Sequence, residues 1–176
     1  LNEEELLQWI PGICGVISGD DCFTNQVFEA ANDLRVISKW GTGIDSIDLV
    51  SAKKHGVVVC NTPGAFTQPV ADTVLGYVLC FARGLPFMDV SVKSGRWEKF
   101  SGFALEEKTL GIIGVGNIGK AVVRRAHAFD MKVVGYDIAE IPDAFLLETG
   151  LKMVGLEELL WQSDFVSLNC DLNSTR

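Results

Sequence analysis

The chain has 176 residues, of which 48% are apolar and 22% charged, a globular balance that fits one small domain or two halves of about 60 to 110 residues. Its formal net charge of −8 argues against nucleic-acid or anionic-membrane partners, and no apolar run approaches the roughly 20 residues that span a bilayer. The opening Leu-Asn-Glu-Glu-Glu has no signal-peptide character, and five scattered cysteines (Cys14, Cys22, Cys60, Cys80, Cys170) without a C-x-x-C pair read as buried, reduced thiols of a cytoplasmic protein with no metal site.

Residues 2–9 suggest a short helix closed by Pro11, followed by a strand over Ile13 to Ser18. Thr24 is placed to N-cap a helix through Val27, Phe28 and Ala31, and a second strand covers Leu34 to Lys39 up to the turn Gly41-Thr42-Gly43. A helix over Ile47 to His55 stops at Gly56, and Val57 to Cys60 is the third strand. Strands separated by helices of this length imply a parallel sheet. After the loop 61–68, a helix is expected from Pro69 to about Arg83, before Gly84. Its apolar residues Val70, Val74, Leu75, Val78, Leu79 and Ala82 cover more than one face, as in a helix buried between domains or subunits. Another helix starts near Pro86 and ends at Ser94-Gly95-Arg96-Trp97.

The apolar run Thr109 to Ile113 then leads into Gly114, Gly116 and Gly119 at the spacing G-x-G-x-x-G, and a helical stretch follows with Ile118, Val122, Ala126 and Phe129 as its core stripe. A strand turning sharply into a helix leaves unpaired N–H groups and the positive end of a helix dipole facing outward, which suits a pyrophosphate. Lys132 to Tyr136 reads as the next strand, and Asp137 at its end is placed to accept hydrogen bonds from the adenosine ribose hydroxyls while repelling a 2′-phosphate. The cofactor expected is therefore NAD rather than NADP. Leu156 to Trp161 reads as a short helix and Phe165 to Leu168 as a strand. Only one half of a doubly wound dinucleotide fold is visible after residue 108, so the chain is expected to be part of a longer protein.

Several of these segments together resemble the D-isomer-specific 2-hydroxyacid dehydrogenases, most of all the phosphoglycerate dehydrogenase branch. The resemblance rests on Lys39-Trp-Gly-Thr-Gly-Ile-Asp45, Gly56-Val-Val-Val-Cys-Asn-Thr-Pro63, Val70 to Leu79, Gly95-Arg-Trp97, Thr109 to Gly119 and Gly135-Tyr-Asp137. It implies an α/β fold: residues 1–62 as the front of a flavodoxin-like substrate domain, and 63–176 as the first part of a Rossmann-type NAD-binding domain. It also implies a homodimer with helix 69–84 at the interface. Carried over by position, Thr42 and Gly43 belong to the loop whose amides hold the substrate carboxylate, and Thr42 also approaches the nicotinamide. Lys39 stands near the substrate's anionic groups, and Asn61 lies in a polar loop facing the substrate. Asn117 and Ile118 offer N–H groups to the pyrophosphate between Gly114, Gly116 and Gly119, and Cys170 contacts the adenosine side.

Two departures from the family pattern bear on the substrate. Where phosphoglycerate-specific relatives carry an arginine, this chain has Ser18-Gly19-Asp20-Asp21, and Asn169-Cys170-Asp171 replaces a His-x-Pro-like stretch. Neither His55 nor His127 matches the family's proton-transferring histidine, and Arg176 does not match its arginine. The catalytic arginine, glutamate and histidine are expected beyond residue 176. The resemblance implies NAD-linked hydride transfer on a small 2-hydroxy or 2-oxo acid, with the first step of L-serine synthesis as the finer reading. Two alternatives are a glyoxylate or hydroxypyruvate reductase and a dinucleotide-sensing corepressor of the same fold.

Overall fold

The computed structural model describes residues 1–170, in two compact units, Leu1–Phe66 and Thr67–Cys170. Asp171 and Arg176 lie outside the described residues. Both units are α/β with parallel sheets.

The first unit runs α1 (Glu3–Trp9), β1 (Gly15–Ser18), α2 (Asn25–Ala30), β2 (Val36–Lys39), α3 (Leu49–Lys54) and β3 (Val58–Cys60). Its helices are short and each begins at a side-chain cap. Asn2 and Glu5 form a reciprocal capping box on α1, Thr24 caps α2, and Asp48 accepts from the N–H groups of Val50 and Ser51 on α3. Asp48 therefore starts the third helix, two residues later than the apolar pattern suggests. The strands pair in sequence order, β1-β2-β3, and Val16, Ile37 and Val59 stand side by side toward the helices. There they join a core of Leu6, Ile10, Phe23, Val27, Phe28 and Leu34. The other face bears the row Ile17, Ser38, Cys60 and, beside it, Val36 and Val58. Ile17 is 81% exposed and Val58 58%, so helices cover one side of this sheet only.

The second unit runs α4 (Thr67–Arg83), α5 (Leu85–Lys93), a 3₁₀ turn (Leu105–Glu107), β4 (Thr109–Ile113), α6 (Asn117–His127), β5 (Lys132–Tyr136), α7 (Asp143–Thr149), β6 (Lys152–Met153), α8 (Leu156–Gln162) and β7 (Phe165–Leu168). Its four parallel strands lie in the order β6-β5-β4-β7. The chain thus builds outward from β4 through β5 to β6, then crosses back to place β7 on the opposite side of β4. That reversal is the switch point at which open α/β sheets leave a crevice beyond the strand carboxyl ends. The core packs Leu110, Ile112, Val122, Val123 and Ala126 against Ala71, Leu75 and Val78 of α4.

Four sequence expectations need correction. Helix α4 starts at Thr67, so Pro69 is its third residue rather than its first; a proline is still tolerated there because first-turn N–H groups have no helical partner. Phe129 is not part of the buried stripe of α6, because the helix ends at His127 and the ring lies 40% exposed beyond it. The cysteines are not buried: Cys14, Cys22, Cys60 and Cys170, at strand ends and in loops, are exposed, and Cys80, within α4, is half-buried. Finally, α7 and β6 fill a segment for which no element was expected.

Candidate dinucleotide and carboxylate sites

In the second unit, the expected cofactor residues converge at the carboxyl ends of β4, β5 and β7. Gly114 follows β4 with φ +88, a conformation that side chains other than glycine's rarely adopt. A Cβ there would also lie 2.8 Å from the backbone nitrogen of Cys170, which places the start of the glycine loop against the chain leaving β7. Gly119 is buried inside the first turn of α6, where a Cβ would run into the carbonyl oxygen of Gly114. Gly116 differs from both: it is exposed, and a Cβ on it would meet nothing within 4 Å. Fold and packing account for the first and third glycines. The second keeps open a space that no protein atom occupies.

Four N–H groups border that space. Gly116 is the N-cap of α6 without a side-chain cap, and the first backbone bond of the helix is donated by Lys120 to the Gly116 carbonyl. Among the described residues, the N–H groups of Gly116, Asn117, Ile118 and Gly119 have no hydrogen-bond partner. They are the orphan donors of an eleven-residue helix, aligned with its positive dipole end. Asp137, half-buried at the end of β5, accepts from the Val115 N–H at 2.6 Å and the Ala139 N–H at 2.9 Å, one on each oxygen. The carboxylate therefore sits on the rim of the glycine loop, and each oxygen retains a lone pair. Cys170 is exposed beside Gly114.

The first unit gathers Lys39, Thr42, Gly43 and Asn61 at the carboxyl edge of its sheet. The turn after β2 is stapled to the loop after β3. Thr62 Oγ1 accepts from the Gly41 N–H at 2.9 Å, the Thr62 N–H donates to the Gly41 carbonyl at 3.0 Å, and Asn61 Nδ2 donates to the Thr42 carbonyl at 2.8 Å. A trans peptide sends its N–H opposite to its C=O. With the carbonyls of Gly41 and Thr42 both held toward residues 61–62, the N–H groups of Thr42 and Gly43 point away from them, and neither has a partner among the described residues. Two adjacent amides of this kind suit a carboxylate in spacing, and Asp45 Oδ1 stands close by, 2.9 Å from where a Cβ on Gly43 would lie. Asn61 is the brace of this turn, a role that its sequence position did not reveal; the part played by Thr62 was not foreseen at all.

Lys39 is buried, its side chain 5% exposed, with the ammonium bonded to the Gly19 carbonyl and, at 2.6 Å, to Asp20 Oδ1. His55 closes α3 and stacks on Phe28, while His127 ends α6, about 15 Å of helix away from the glycine loop.

A comparison with known proteins identifies this arrangement. The model of the D-isomer specific 2-hydroxyacid dehydrogenase NAD binding domain matches residues 75–176, more than half of the chain. The chain belongs to the D-isomer specific 2-hydroxyacid dehydrogenase family. It is 41% identical to the hydroxypyruvate reductase of Thermotoga maritima over all of its length and 58% of that protein. It is 40% identical to the D-3-phosphoglycerate dehydrogenase of Methanocaldococcus jannaschii, over 98% of this chain and 33% of the relative. Among solved structures, the D-lactate dehydrogenase of Aquifex aeolicus complexed with NAD and lactic acid superposes with a TM-score of 0.87 at 28% identity, covering 99% of this chain and 53% of that one. The chain thus spans between a third and three fifths of the length of these family members. The glycine loop and Asp137 lie inside the matched NAD-binding segment, and the N–H groups around Gly116 suit a group that brings its own negative charge.

Proposed function

We propose that this chain is the front part of an NAD-dependent oxidoreductase that interconverts a small 2-hydroxy acid and its 2-oxo acid. The first unit serves as part of the substrate domain and the second as part of the NAD-binding domain. When bound, the nicotinamide supplies or accepts the hydride. The chain's own residues bind and orient. The N–H groups of Gly116, Asn117, Ile118 and Gly119 receive the pyrophosphate, and Asp137 takes the adenosine ribose hydroxyls while disfavouring a 2′-phosphate. Gly114 and Cys170 wall the adenosine side. The amides of Thr42 and Gly43 hold the substrate carboxylate, Thr42 borders the nicotinamide, and Asn61 and Thr62 keep those amides aimed. Proton transfer belongs to a histidine outside the described residues, because His55 stacks on Phe28 at the end of α3 and His127 lies at the far end of α6 from the glycine loop.

The observation that carries this reading is the switch-point loop, with four unpartnered N–H groups and Asp137 at its rim. On the full-length protein, NADH should quench tryptophan fluorescence at lower concentration than NADPH, and NADH should be oxidised on addition of glyoxylate, hydroxypyruvate or phosphohydroxypyruvate. Tight NADH binding with no turnover of any 2-oxo acid would instead support a dinucleotide-sensing scaffold. The relatives divide between phosphorylated and unphosphorylated acids, and phosphoglycerate oxidation toward L-serine is the finer reading that most of their names favour.

We further propose a homodimer formed through α4 and α5. One face of α4 is buried, yet Tyr77 is 66% and Phe81 74% exposed on its other side, and Phe87, Val90 and Val92 of α5 are also exposed. Among the described residues no single helix is long and apolar enough to cross a membrane.

A further inference from the structure

We infer that Asp20 sets substrate class: by holding Lys39 it selects short, unphosphorylated 2-oxo acids and excludes those carrying a phosphate. The inference rests on the oxidoreductase reading above and, within it, favours a hydroxypyruvate or glyoxylate reductase over the phosphoglycerate oxidation that most relatives' names suggest. The three loops at the carboxyl edge of the first sheet, residues 18–24, 39–48 and 60–66, contain one cation, Lys39, and four carboxylates, Asp20, Asp21, Asp45 and Asp48. A 2-oxo acid needs one anion site here, and the amides of Thr42 and Gly43 supply it. A phosphorylated acid brings close to two further negative charges at neutral pH and needs a cation to meet them.

Lys39 is not placed to be that cation. Its ammonium is engaged by the Gly19 carbonyl and by Asp20 Oδ1 at 2.6 Å, and its side chain is 5% exposed. The stem passes beneath the turn, with Cε 3.4 Å from where a Cβ on Gly41 would stand. Asp20 is fully exposed, so the pair turns its carboxylate side to solvent and keeps the ammonium beneath; the two charges cancel, and Lys39 is withheld from an incoming anion. Asp21 is itself engaged by the Leu1 ammonium at 2.6 Å, the Ser18 hydroxyl and the Gly19 N–H, so Asp45 is the nearby carboxylate that adds to the balance against a phosphate.

The test uses the full-length enzyme, with kcat and KM measured separately for NADH-dependent reduction of hydroxypyruvate and phosphohydroxypyruvate. The wild type should favour hydroxypyruvate in kcat/KM by about tenfold or more, the scale expected when a phosphate meets no cation at its site. Asp20→Asn should move that ratio about tenfold toward the phosphorylated acid, through its KM rather than kcat, and Asp20→Glu should restore the original ratio. Raising ionic strength should lower the KM for the phosphorylated acid in the wild type more than in Asp20→Asn, because salt screens an exposed carboxylate. Since the Asp20 side chain contributes no buried surface, a thermal melt should show the variants folded. A wild type that prefers phosphohydroxypyruvate, or a ratio unmoved by Asp20→Asn, overturns the inference and leaves the oxidoreductase reading intact. Absence of turnover with either acid overturns both.

Discussion

Single residues of the glycine loop separate folding from binding. Gly116→Val should leave the thermal midpoint within a few degrees of wild type, because a Cβ there meets nothing within 4 Å, and should abolish NADH binding by filling the pyrophosphate space. Gly119→Ala should instead lower the midpoint markedly, since its Cβ collides with the Gly114 carbonyl inside the first turn. Asp137→Ala removes a charged acceptor, so NADH affinity should fall about tenfold to a hundredfold while discrimination against NADPH relaxes. Fluorescence titration with both nucleotides measures this. Asn61→Leu frees the Thr42 carbonyl, and in the full-length enzyme it should raise the KM for 2-oxo acids about tenfold with NADH affinity unchanged. The G-x-G-x-x-G spacing made the glycine loop readable in the sequence, because Gly114 answers a backbone requirement and Gly119 a packing one, while Gly116 leaves the start of α6 uncovered. The pairing of Lys39 with Asp20 was not readable: they are 19 residues apart and meet only once β1 and β2 lie side by side.

At the scale of elements, the strands were legible wherever an apolar run was bounded by turn residues, as at Lys132–Tyr136 and Phe165–Leu168. The two-residue strand Lys152–Met153 is too short to show any period. The helix before it opens at Pro142 and closes at the left-handed Gly150, punctuation that marked it only once the fold was known. Two aspartates pin element ends and make them sensitive to acid. Asp48 is held below its ordinary value of 3.8 by the Ser51 hydroxyl and the N–H groups it caps, and Asp164 by the Thr109 N–H and Lys108. A carboxylate whose pKa is depressed on folding adds stability above its unfolded pKa and loses it as pH falls through the folded one. The start of α3 and the entry to β4 should therefore weaken on acidification below about 3.8, seen as a falling thermal midpoint, and Asp164→Asn should flatten that slope.

For the whole molecule, the division into parts came from the family resemblance, which put it after residue 62, whereas the compact units part after Phe66. Surface chemistry was not legible, because a cysteine or phenylalanine carries the same sequence signal whether its loop is covered or not. The exposed aromatic side of α4 makes assembly testable. Phe81→Asp in the full-length protein should convert a dimer to a monomer by light scattering at micromolar concentration, with the melt of the second unit largely preserved, since Phe81 lies outside its core.

The one-sided sheet of the first unit has a practical consequence. A parallel sheet ordinarily has both faces covered, and here Cys60 shares its open side with Ile17, Val36 and Val58. Its thiol is thus a native reporter group. Maleimide should label Cys60 in this polypeptide as fast as in a short peptide, and any further segment that caps the row would announce itself as slowed alkylation.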